Sequence, residues 1–70
     1  MRISSRNQLK GTVVSITRGP INALVKVDIG SGNHVSATLT AEAVDDLVIS
    51  EGSEVVALFK ATAVLIGVEE

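Results

Sequence analysis

From Ile21 to Ile29 apolar and polar residues alternate, with Ile21, Ala23, Val25, Val27 and Ile29 on one face and Asn22, Lys26 and Asp28 on the other. Leu24 alone departs. A period of two is that of a strand with one buried face. His34 to Thr40 resumes it, with Val35, Ala37 and Leu39 inward. The Gly30-Ser31-Gly32-Asn33 stretch between them has turn composition, so the two strands are expected to pair antiparallel. Upstream, Leu9 to Thr17 is rich in β-branched residues and predicts a long strand. Its apolar phase changes at Val13-Val14, which requires either a bulge or burial of both faces. Arg18-Gly19-Pro20 then breaks the pattern; Pro20 fixes its own φ and Gly19 is able to take the positive φ of a tight turn, so a hairpin is expected.

After the third strand the period changes. Thr40 is a plausible helix N-cap, Glu42 falls in the first turn, and Val44 and Leu47 stand at i, i+3, which predicts a short helix. Ser50-Glu51-Gly52-Ser53 turns the chain. Glu54 to Phe59 and Ala63 to Val68 read as two further strands, apolar on both faces and separated by Lys60-Ala61-Thr62. The expected architecture is mainly β: a five-stranded Greek-key barrel of the oligonucleotide/oligosaccharide-binding (OB) type, with one short helix after the third strand.

Seventy residues fit a single domain, 1–70, and a lone chain this small has little core to stabilise it. Neither disulfides nor zinc can compensate, because there is no cysteine and His34 is the sole histidine. Yet 46% of residues are hydrophobic. The doublets Val13-Val14 and Val55-Val56 and the run Ala63 to Ile66 would leave apolar residues outside a barrel, so a homo-oligomer packed barrel against barrel is expected. No apolar run approaches the ~20 residues of a membrane span, and the N-terminus shows no leader pattern, so the expected location is the cytoplasm with no membrane partner. A net charge of −2 and one aromatic residue, Phe59, argue against nucleic acid, whose binding needs cations and stacking rings.

Two stretches carry candidate chemistry. Ser4-Ser5-Arg6-Asn7 and Lys60-Ala61-Thr62 each supply a cation and at least one hydroxyl, and neither contains an acid. A set made only of donors suits a small multivalent oxyanion held by charge-assisted hydrogen bonds. An enzyme is not expected: no nucleophile with a paired base and no metal-ligand cluster can be assembled, and Asp45-Asp46 has the spacing of a solvated helix face. Gly30 and Gly32 lack the pattern of a dinucleotide fingerprint. Two other functions remain in competition. Phe59-Lys60-Ala61 could present a lysine for modification, as in the carrier hairpin of lipoyl domains, although the preceding Asp is missing; alternatively, the barrel could bind a single-stranded nucleic acid.

Ile3 to Gly11 and Lys60 to Val68 resemble the two signature stretches of the molbindins, the small Mop-type molybdate-binding proteins. The likeness extends over Gly30 to Asn33 and Thr38 to Leu47. It departs from the commonest family form in having Ser5 for Ala and Leu65 for Met. The resemblance implies an OB-type barrel, a hexamer built as a trimer of dimers, and molybdate or tungstate bound between subunits without an organic cofactor, for intracellular molybdenum storage or homeostasis. It further implies that Ser4 and Arg6 of one subunit, with Ser5 beside them, meet Thr40, Lys60, Ala61 and Thr62 of a neighbour, Ala61 through its backbone N–H. A second class of site near a threefold axis is also implied, for which Gly30 to His34 is the candidate stretch.

Overall fold

The computed structural model describes residues 3–69. Strand β1 (Asn7–Arg18) is the longest, followed by β2 (Asn22–Gly30), β3 (Asn33–Thr40), the helix α1 (Ala41–Asp46) and β4 (Glu54–Phe59). They form one antiparallel, curled sheet in the order β3-β2-β1-β4. Strand β1 is therefore shared: its C-terminal part pairs with β2, from Thr12↔Asp28 to Arg18↔Ala23, and its N-terminal half pairs with β4, from Asn7↔Phe59 to Thr12↔Glu54.

Two features of β1 allow this double use. Val14 is an extra residue in the β1–β2 ladder, which passes from Val13↔Val27 to Ser15↔Lys26. Val13 is thereby turned fully inward while Val14 faces out, so the apolar doublet is a bulge and not a strand buried on both faces. Gly11 lies where β2 crosses β1 most closely: a Cβ there would stand 2.5 Å from the Asp28 carbonyl oxygen. Only a residue without a side chain permits that approach.

The core is small. Val13, Ala23, Val25, Val27 and Val44 are buried, and Ile16, Ile29, Leu39, Ile49 and Val55 pack partly buried against them. Alternation along β2 thus has its expected consequence except at Ile21, which is exposed in the turn ahead of the strand. Thr40 caps α1, accepting the Ala43 N–H on Oγ1 at 3.0 Å. Val44 of that helix is buried, but Leu47, expected on the same face, is exposed beyond the last helical turn. There the Val48 N–H donates to the Asp45 carbonyl and the Ile49 N–H to the Val44 carbonyl, with Val48 in the left-handed region. This is a Schellman ending with valine where glycine is usual.

Gly19 does not take a positive φ; the β1–β2 turn closes instead with its N–H donating to the Asn22 carbonyl. Positive φ occurs at Gly30, Ser31 and Gly32, as a tight turn between β2 and β3 requires.

The largest departure from expectation is the end of the chain. Ala61–Ala63 forms a single 3₁₀ turn, and Val64 to Glu69 join no strand among the described residues. Four strands form among the described residues where five were expected, and the sheet remains open between β3 and β4. Leu65, Ile66 and Val68 are 92%, 86% and 84% exposed. The open side of the sheet is an apolar groove of about 980 Å³ whose walls include Val35, Ala37 and Leu39 of β3 and Val55, Ala57 and Phe59 of β4.

Candidate functional site

The β1–β4 ladder determines where the two donor stretches lie. Its last pair is Asn7↔Phe59, so Arg6 and Lys60 are the residues immediately beyond its end. Ser4, Ser5, Arg6, Lys60, Ala61 and Thr62 accordingly line one surface depression of about 470 Å³ within a single chain. Six of the seven candidate residues are brought together in this way. The seventh, Thr40, pairs with Asn22 and so lies near the Arg18 end of β1, away from the depression. A division placing Ser4 and Arg6 on one subunit and Lys60 to Thr62 on another is not needed to unite these groups.

Arg6 and Lys60 are exposed, and among the described residues neither makes an ion pair. Two cations facing one hollow with no acid between them repel each other mildly when empty and favour an anion. Ala61 and Thr62 open the 3₁₀ turn ahead of its first internal bond, from the Ala63 N–H to the Lys60 carbonyl, and no hydrogen bond among the described residues takes up their N–H groups. Side-chain cations, the Ser4 and Thr62 hydroxyls and two backbone N–H groups thus border the same hollow.

Ser5 differs from the others. It is half-buried, and its hydroxyl donates to the Phe59 carbonyl at 2.7 Å while accepting the Asn7 N–H at 3.3 Å. That leaves no hydroxyl hydrogen for a guest. Sequence reasoning grouped Ser5 with the direct donors because its partner, a backbone carbonyl 54 positions away, leaves no side-chain signal. Thr40 is likewise occupied as a helix cap, though its own hydroxyl hydrogen remains available to donate.

Lys60 does not sit at the tip of a hairpin, because the segment after the 3₁₀ turn does not return along β4. The presentation expected of a carrier lysine is therefore not found among the described residues. No aromatic side chain lines the depression, and the described residues contain no group of three or more histidine or acidic side chains able to hold a metal ion. Among the described residues no helix is long and apolar enough to cross a membrane.

A model of the TOBE domain matches residues 3–66. The chain belongs to the TOBE domain family. Within it, the chain is 54% identical over 69 residues to a probable molybdenum-pterin-binding protein of Haemophilus influenzae, covering 99% of this chain and all of that one. The molbindin resemblance of the two signature stretches is thereby borne out. The fold is similar to apo MopII from Clostridium pasteurianum, with a TM-score of 0.90, 39% identity, and coverage of 96% of this chain and 100% of that one. It is also similar to a molybdate-binding protein from Sporomusa ovata, with a TM-score of 0.87, 38% identity, and coverage of 94% and 97%. Both likenesses extend over nearly the full TOBE chain.

Proposed function

We propose that this protein binds molybdate or tungstate without catalysis, in the depression between Ser4–Arg6 and Lys60–Thr62, and serves intracellular molybdenum storage or homeostasis in the cytoplasm. The observation that carries the reading is that Arg6 and Lys60 line one depression with no carboxylate among the described residues that border it. Molybdate is a tetrahedral dianion with four acceptor oxygens and, near neutral pH, no proton to donate. Two cations match its charge, while hydroxyl and backbone N–H donors orient it and set the cavity size that separates it from the smaller sulfate. The molybdate-binding relative of similar fold supports the same choice.

The ligand is held, in this reading, within an assembly, a hexamer arranged as a trimer of dimers. Its support is the exposed tail. Val64 to Val68 is an apolar, exposed segment that joins no strand among the described residues, and the same chain carries an apolar groove between the β3 and β4 edges. A second copy supplies the fifth strand, each chain filling the other's groove in a closed, twofold exchange. Thr40, at the end of β3 and away from the depression of its own chain, joins the ion from a neighbouring copy.

Equilibrium dialysis against molybdate, tungstate and sulfate tests the function. Molybdate and tungstate are expected to be retained and sulfate to be excluded. Equal retention of all three, or of none, would overturn the assignment. Saturating ligand should also protect the fold, by roughly 2.7 kcal/mol per site at a hundredfold excess over Kd if only the folded assembly binds.

A further inference from the structure

Resting on that reading, we infer that Ser5 is a positioning residue that holds the N-terminal half of the site in its binding geometry before the ion arrives. Residues 3–6 precede the β1–β4 ladder, and every hydrogen bond they make among the described residues runs through Ser5. Its hydroxyl donates to the Phe59 carbonyl, at the very end of β4, and accepts the Asn7 N–H; its carbonyl accepts from Gln8 Nε2 at 2.9 Å. Phe59 immediately precedes Lys60. The Ser5–Phe59 bond therefore clamps the residue between Ser4 and Arg6 directly to the backbone that presents Lys60.

Without the clamp, the segment of Ser4 and Arg6 keeps only the Gln8 Nε2 bond to the Ser5 carbonyl, and a segment held outside the ladder by so little opens readily. Fraying lowers the fraction of molecules with both donor stretches in place, and apparent affinity falls by the same fraction. The ion itself never touches Ser5, whose hydroxyl hydrogen is already engaged. Its removal is therefore expected to slow capture and to leave escape of the bound ion nearly unchanged.

The test compares Ser5→Ala and Ser5→Thr with the parent, at equal assembly mass, by molybdate binding kinetics and by amide exchange of residues 4–7 in the ion-free protein. Ser5→Ala should weaken binding about three- to tenfold through a slower association rate, with dissociation within twofold of the parent and faster amide exchange confined to residues 4–7. Ser5→Thr, which keeps the hydroxyl, should restore parent-like values. Unchanged affinity and exchange in Ser5→Ala would overturn the inference, as would a loss confined to dissociation, which would make Ser5 a direct ligand. A parent that takes up no molybdate removes the oxyanion assignment and this role with it; a parent that binds while Ser5→Ala binds equally well removes only the role of Ser5.

Discussion

Arg6 and Arg18 stand at opposite ends of the same strand and meet opposite company. Arg18, the last residue of β1, donates from Nη2 to Asp45 Oδ1 of α1 at 2.9 Å, an exposed ion pair that neutralises both partners. Arg6, one residue ahead of β1, lines the same hollow as Lys60, bordered among the described residues by hydroxyl-bearing residues and no acid. Composition alone does not separate the two arginines. The ladders do, by delivering an acid to one end and a second cation to the other. A protein that places two cations together without an acid leaves their charge to be balanced from outside.

The comparison can be broken most severely through assembly. Charging the tail, as in Leu65→Lys with Ile66→Lys, should abolish oligomers and reduce molybdate binding, because the Arg6 end loses the Thr40 supplied by another copy; sedimentation together with dialysis checks both. Next in size, Arg6→Ala or Lys60→Ala should each weaken molybdate binding by ~1.5–3 kcal/mol, the range for hydrogen bonds to charged groups, with the fold intact by circular dichroism. Gly11→Ala affects the strand that joins the two ends. Its Cβ would collide with the Asp28 carbonyl and the Val27 side chain, so chemical denaturation should show a loss of about 1–3 kcal/mol. Arg18→Ala is the control: it should cost under ~1 kcal/mol of stability, as exposed pairs do, and leave molybdate affinity unchanged.

Much of this molecule was legible before its structure. Alternation located β2 and β3, the Val13-Val14 phase change announced the bulge, and Thr40 identified itself as a cap. The tail was harder to read. Val64 to Val68 has the composition of a strand, but composition states only that a segment needs an apolar partner, and not whether that partner lies in the same chain. Ile21 and Leu47 were assigned inward for a related reason: periodicity continued past the points where the turn and the helix end. At the site, both donor stretches were found by residue type. Their meeting within one chain was not, because it follows from the Asn7↔Phe59 register, and register between strands so distant in sequence is set by the whole sheet.

Native mass spectrometry in the presence of molybdate tests the central claim most directly, since it weighs the assembly and the ion together. The account predicts multiples of the 7.2 kDa chain that carry molybdate and lose it when Arg6 or Lys60 is replaced by alanine. A lone chain without bound ion, or an assembly whose molybdate survives both replacements, would contradict it.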